Sequence, residues 1–434
     1  MTHGSGAHRT VAVDGLSRVE GEGSLRVDVR DGVVEDVALT IFEPPRYFEA
    51  MLRGRRATEA PDITARICGI CPVAYQMSAC LAVEDAYGIG VDDRITALRR
   101  LLYCGEWIQS HALHIYLLHA PDFLGCADAV ELAELDRAAV ERGLGIKRTG
   151  NLIMEVVGGR AIHPVNVRVG GFYRAPAPEE VAALAEPLRR ARDAALDTVR
   201  WVGGFEIPEV DGQYRFVALR STGRYPIESG RVASSDGLDA SPAEFADRVV
   251  EEHVARSTAL HARLDGRLDY LTGPLARYAL NSGELPEVAR QAAADVGLGP
   301  VCANPFRSIV VRAVELVFAC EEALRLIAEY EPPEPPASEV RPRAGIGTGA
   351  TEAPRGLLFH RYELDEAGVI LTARIVPPTS QNQLTIESDL RRVAQAALDL
   401  PDDQLAWRCE QAVRNHDPCI SCAAHFLDVT VVRG

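Results

Sequence analysis

Arg66-Ile67-Cys68-Gly69-Ile70-Cys71-Pro72-Val73-Ala74-Tyr75 sets two cysteines three positions apart on a small apolar loop. A C-x-x-C loop of this kind can grip one metal ion with both thiolates. Pro72 opens an apolar run through Tyr87 that Gly88 and Gly90 end, so the pattern predicts a helix over 72–87 with the cysteines feeding its N-terminus. That position favours thiolate over thiol, because the helix dipole and the free amides stabilise negative charge. Near the other end of the chain the motif has an echo, Asp417-Pro418-Cys419-Ile420-Ser421-Cys422-Ala423-Ala424-His425, 348 positions beyond Cys71. The two pairs carry a joint meaning only if the fold brings them together.

Structural zinc is the first reading to weigh. In zinc modules such pairs stand about 15–20 residues apart, because a small unit folds around its ion. A chain of 434 residues, 47% of them hydrophobic, builds its own core and has no need of zinc for stability. Four thiolates equally suit softer redox metals such as nickel or iron, with geometry and delivery deciding the occupant. The formal net charge of −16 argues against nucleic acid or an anionic membrane as partner. Six of the ten cysteines, at 80, 104, 126, 302, 320 and 409, lie singly in apolar runs, as buried thiols do in a reducing compartment. No apolar run approaches the ~20 residues of a membrane span, and MTHGSGAHRT lacks a signal-peptide apolar region, so the expectation is a soluble, cytoplasmic protein.

The expected fold is mainly α with small β-hairpins near both ends, an α+β chain forming one domain over 1–434. It divides into a β-rich start over 1–43, a helical core over 44–330, a proline-rich surface linker over 331–336, and a last stretch, 337–434, of β structure, helix and metal motif. Leu25, Val27 and Val29 run up to Asp31-Gly32 while Val37, Leu39 and Ile41 run away from it, the pattern of a tight hairpin. Helices are predicted over 92–120, 127–157, 178–200, 241–262, 282–295, 305–330 and 384–398. A second strand pair, 355–362 with 369–376, follows the linker. Gly345 to Gly349 reads as a flexible loop, with no dinucleotide fingerprint. His111, His114 and His119 read as hydrogen-bonded core histidines, since no acidic or thiol partner lies near them in sequence.

R-I-C-G-I-C-P at 66–72 together with D-P-C-I-S-C-A-A-H at 417–425 resembles the paired motifs of the large, catalytic subunit of nickel-iron hydrogenases. Arg18-Val19-Glu20-Gly21 is similar to that family's R-x-E-G element, and Gly159-Arg160-Ala161-Ile162-His163-Pro164 to its G-G-[KR]-x-x-H-P loop. Ala353-Pro354-Arg355-Gly356 and Val376-Pro377-Pro378-Thr379 match two more, in the same order along the chain. The resemblance implies the nickel-iron hydrogenase large-subunit fold. It implies nickel held by Cys68, Cys71, Cys419 and Cys422, with Cys71 and Cys422 bridging to an iron that carries carbon monoxide and cyanide. Dihydrogen would be split heterolytically between the metals, with Cys419 or Arg355 as the base and Glu20 passing the proton outward. Glu49 and His425 would bind a magnesium ion. Pro354, Arg355 and Thr379 would line the cyanides, and Asp122 and Asp417 would hold Arg355.

No other cysteine set in the chain could hold a cluster, so electrons would leave through an iron-sulfur small subunit and from there pass to further NAD(P)-linked subunits. The motif wording looks most like the soluble, NAD(P)-linked hydrogenases. Two points depart from the family or stay open. Many relatives carry histidine where this chain has Tyr75, and the tail Phe426–Gly434 is of the kind a maturation protease removes after the histidine. The alternative functions are a hydrogen sensor with the same metal site, a structural zinc protein, and a metal-free relative like the quinone-site subunit of respiratory complex I, which the four cysteines argue against.

Overall fold

The computed structural model describes residues 8–44 and 47–424. Strands β1 (His8–Val13), β2 (Gly23–Arg30) and β3 (Val33–Ile41) form an antiparallel meander. The β2–β3 turn falls at Asp31-Gly32, with φ of 51° and 76°; positive φ at both positions gives the backbone twist that two-residue hairpins favour. Leu25, Val27, Val37 and Leu39 are buried on one face of this sheet.

The helical part follows: α1 (Phe48–Leu52), α2 (Ala60–Thr64), α3 (Pro72–Tyr87) and α4 (Asp93–Leu113). Helix α3 has the predicted limits, with Pro72 at its first turn and Gly88 closing it at φ 61°. Helix α4 runs on into a π-helical turn, His114–His119, and then α5 (Ala120–Leu124). The segment expected to be one helix over 127–157 is two, α6 (Ala129–Leu135) and α7 (Arg137–Gly158). Asp136 breaks them by capping the second, accepting from the Ala139 amide. Helix α7 crosses α4 at near backbone contact: a Cβ on Gly150 would stand 2.6 Å from the Gly105 carbonyl oxygen.

Beyond the short pair β4 (Val167–Arg168) and β5 (Gly171–Phe172), the expected 178–200 helix is split into α8 (Pro178–Ala182) and α9 (Ala185–Gly203). A small sheet follows, of β6 (Val217–Arg220), β7 (Arg231–Ser234) and β8 (Asp239–Ala240). The helix expected over 241–262 is only α10 (Pro242–Arg248), and the rest pairs as β9 (Val249–His253) with β10 (Leu260–Leu264). Adjacent Val249 and Val250 favour the extended chain, and pairing buries Val249, Ala262 and Leu264 against Phe245.

Then come α11 (Pro274–Asn281), α12 (Glu287–Asp295) and the long α13 (Ser308–Ala328), which packs on α4 and α9. Residues 331–336 carry no helix or strand, but they do not stand free: Pro333 is buried, and the Pro336 carbonyl accepts from the Phe172 amide at 2.9 Å.

The Gly345–Gly349 run is strand rather than flexible loop. It belongs to β11 (Gly345–Ala353), which pairs with β12 (Gly356–Leu364) and through it with β13 (Ile370–Val376). Its glycines let β11 lie directly on α3: a Cβ on Gly347 would meet the Ala82 carbonyl oxygen at 2.0 Å, and one on Gly349 the Ser78 carbonyl oxygen at 2.4 Å. Helices α14 (Pro378–Ala396), α15 (Asp402–Arg414) and α16 (Ile420–Ala423) complete the described chain. The largest hydrophobic cluster runs from Leu52 to Cys422 and contains all four motif cysteines. Among the described residues no helix is long and apolar enough to cross a membrane.

Candidate metal centre

The N-terminal cysteine loop leaves a 3-10 turn at Ala65–Ile67 and passes through an extended Cys68 to Cys71, the residue before α3. The Ile70 and Cys71 amides both point at Cys68 Sγ, at 3.3 and 3.4 Å. The C-terminal loop turns at Asp417, whose φ of 51° sends the chain inward. There Cys419 bridges to Glu20 in strand fashion, the Ile420 amide donating to the Glu20 carbonyl at 2.9 Å. The Cys419 amide donates to Thr379 Oγ1 at 2.9 Å, which leaves that hydroxyl its own proton to donate elsewhere.

These two loops gather the sulfurs of Cys68, Cys71, Cys419 and Cys422 within 4.8 Å of one another, all buried. Cys68 and Cys419 approach most closely in hydrogen-bonding terms, at 3.5 Å. Donation from the Cys419, Cys422 and Cys71 thiols holds the Cys68 thiol well below its ordinary pKa, and the Arg355 charge adds to this. Burial drives the Cys419 and Cys422 thiols up.

Arg355 reaches the sulfurs from the tip of the β11–β12 hairpin. Ala353 pairs with Gly356, so Pro354-Arg355 is a two-residue turn pushed into the core. The guanidinium donates from Nε to the Asp417 carbonyl at 2.9 Å and from Nη2 to Asp417 Oδ1 at 3.1 Å. Burial works against this cation, but Asp417 and the cysteine sulfurs outweigh it and its pKa stands well above the ordinary value. Burial raises the pKa of Asp417 in turn, against the pull of Arg355 and Arg312.

Glu20 Oε2 accepts from Cys419 Sγ at 3.1 Å and from the Ser421 amide at 3.0 Å. Asp122, expected beside Arg355, is elsewhere: its carboxylate accepts from Arg18 Nη2 at 2.6 Å and from Arg414 Nη2 and Nε, both at 2.8 Å. It lies on α5 beyond the π turn, where it ties the R-x-E-G loop to the segment leading into Cys419. Glu49 Oε1 accepts from the Ile375 amide at 2.6 Å and lines a cleft of about 520 Å³ together with Glu251, Cys422 and Ala424. His425 and the tail Phe426–Gly434 lie outside the described residues. The Tyr75 hydroxyl is buried without a hydrogen-bond partner of ordinary geometry, its ring 5.7 Å from that of His360. His114 and His119 are core histidines, bonded to the Arg414 carbonyl and to Asn415 Oδ1, each at 2.9 Å.

Sequence reasoning missed a fully buried ionic cluster behind the hairpin tip. Arg277 binds Glu315 at 2.8 Å and Glu352 at 3.1 Å, and donates to the carbonyls of Ala353 and Pro354, both at 2.9 Å. It also missed Glu106 and Gln109 on α4. The available signal was a charged residue inside an otherwise apolar helical run, as in Leu101-Leu102-Tyr103-Cys104-Gly105-Glu106-Trp107-Ile108.

Four buried sulfurs within reach of one ion suit a soft metal. Arg355 Nη1 and Asp417 Oδ2 are buried beside them with no protein partner, which fits a centre bearing further polar ligands. Comparison with known proteins agrees with this geometry. A family model described as nickel-dependent hydrogenase matches residues 46–142. The chain is 33% identical over 424 residues to sulfhydrogenase 1 subunit alpha of Pyrococcus furiosus, covering 96% of this chain and 98% of that one. The crystal structure of an NAD+-reducing [NiFe]-hydrogenase in the H2-reduced state superposes with a TM-score of 0.85 at 28% identity, over 96% and 99% of the two chains. The Ni-Fe-Se hydrogenase of Desulfovibrio vulgaris Hildenborough gives 0.78 at 26%, over 96% and 100%. With the thiols, the arginine and the full-length similarity in agreement, the chain belongs to the nickel-dependent hydrogenases, as a large, catalytic subunit.

Proposed function

We propose that this subunit interconverts dihydrogen with protons and electrons at a nickel-iron centre held by Cys68, Cys71, Cys419 and Cys422. The observation that carries the reading is the gathering of four buried sulfurs from opposite ends of the chain within 4.8 Å. When bound, the nickel-iron pair would supply the Lewis acidity that polarises dihydrogen and the first acceptor for its electrons. Carbon monoxide and cyanide on the iron would meet Thr379, Pro354 and the free Nη1 of Arg355.

The chain's own residues handle the proton. Cys419 Sγ holds it 3.1 Å from Glu20 Oε2, within direct transfer distance. Glu20 is part exposed while the sulfurs are buried, so transfer carries charge from the dry centre toward solvent. The Ser421 amide fixes the receiving oxygen, and Ser421 Oγ donates to Glu43 Oε1 at 3.1 Å, a second part-exposed carboxylate. Arg355, anchored by Asp417 and backed by Arg277, holds a fixed positive charge over the sulfurs.

Around this centre we place a magnesium ion in the cleft beside Glu49, with His425 as its second protein ligand. Electrons pass to an iron-sulfur small subunit and from it to NAD(P)-linked subunits; the NAD+-reducing hydrogenase whose structure this chain resembles supports that destination. A maturation protease would remove Phe426–Gly434. Ten free, buried cysteines fit the cytoplasm. The test is metal analysis with infrared spectroscopy of the subunit purified with its partner. Nickel and iron with carbonyl and cyanide bands are expected, and zinc alone would remove the reading.

A further inference from the structure

The rod made by α4 and its π turn touches both cysteine loops. Glu106, fully buried, accepts from the amides of Val73 at 2.6 Å and Ala74 at 3.2 Å, directly after Cys71. These are free amides at the start of α3, where the chain offers no capping side chain of its own. Three residues on, Gln109 Nε2 donates to the Ile70 carbonyl, inside the C-x-x-C loop, at 2.6 Å. The same rod then reaches the second loop, His114 holding the Arg414 carbonyl and His119 the Asn415 side chain, each at 2.9 Å.

The π turn makes the second grip possible. Residues five apart on a regular α-helix point about 140° from one another. The wider turn brings the His114 and His119 rings to 4.9 Å, and both address residues 414–415. From the other side, Ser308 Oγ and Arg312 Nη1 hold the Asn415 carbonyl, so this segment is fixed on two faces.

We propose that the α4–π rod is a positioning brace, in which Glu106 and Gln109 fix the first cysteine loop, His114 and His119 fix the approach to the second, and the rod sets the distance between the sulfur pairs. None of the four touches the reacting atoms. The inference rests on the nickel-iron reading above.

The test compares Glu106→Gln and His119→Leu with the unaltered enzyme, each purified with its small subunit. Expected are nickel and iron retained, a melting temperature close to that of the unaltered enzyme, and shifted carbonyl and cyanide bands in both variants. Bands at their original positions in both would overturn the brace, as would a lowered melting temperature with bands in place, which marks a purely structural contribution. If Glu106→Gln does not fold, Gln109→Met, which gives up a single hydrogen bond, decides by the same band positions. An unaltered enzyme without carbonyl and cyanide bands would remove the nickel-iron reading itself, whereas normal bands with unshifted variants would remove only the brace.

Discussion

Glu20 grips the C-terminal cysteine loop with both its side chain and its backbone. Its Oε2 accepts from a cysteine of one motif while its backbone pairs with that same motif. Glu20→Gln keeps the shape and the amide contact but cannot take up a proton. Turnover is expected to fall about 100-fold or more with nickel content unchanged, as read by hydrogen uptake and metal analysis. Arg277 raises a different question at the same scale. Its charge balances Glu315 and Glu352 where no solvent reaches, so Arg277→Leu strands two carboxylates. Breaking such a pair costs about 3–5 kcal/mol, and a marked loss of melting temperature in the isolated variant checks it. The cysteines, Glu20 and Arg355 were legible because their motifs are local strings. Asp122 was misplaced because its partners, Arg18 and Arg414, lie 104 and 292 positions away and only packing reveals them.

At the scale of elements, sequence patterns succeeded where local chemistry decides. Pro72 and Gly88 bound α3, and Asp31-Gly32 makes its turn. They failed where tertiary contact decides. The small residues of 345–353 carry little strand propensity, and their order comes from pairing with β12 and from lying on α3. Gly347→Val should therefore act as an overpacking mutation in an apparent loop. The added side chain collides with α3 backbone, not with a movable side chain, at a cost of about 3 kcal/mol or more. Thermal unfolding beside the control Gly32→Asn, at a turn with open space, separates this from a general glycine effect.

For the whole molecule, buried histidines set the acid limit of stability. Burial drives His360 down to about 3, and His111 and His261 to about 4, from an ordinary 6.5. Depressed values mean that the unfolded chain binds more protons than the folded one between pH 6.5 and about 4, so stability falls as pH drops through that window. Glu352, raised by burial to about 7 from 4.5, acts with opposite sign over much of the same range and offsets part of the loss. The net expectation is a melting temperature that declines from pH 6.5 to 4, with a shallower decline in His360→Gln. Metal loss should have no comparable effect. The cluster holding the four cysteines extends through α3, α4, α7 and α13, so the nickel-free chain is expected to keep its far-ultraviolet circular dichroism while losing hydrogen uptake.

Backbone contact between β11 and α3 has a further consequence. The turn after the strand carries Arg355 and the helix begins beside Cys71; along Gly347 and Gly349 strand and helix meet through peptide backbone, and Ser78 Oγ and Thr351 Oγ1 are bonded across the same contact at 2.8 Å. The spacing of the two backbones is therefore gauged by van der Waals radii, and the two hydrogen bonds to Asp417 then fix where the Arg355 guanidinium stands. Core side chains elsewhere can drift in evolution, or soften with heat, while this spacing holds. Amide hydrogens along Gly347–Thr351 should accordingly be among the last in the chain to exchange with deuterated solvent.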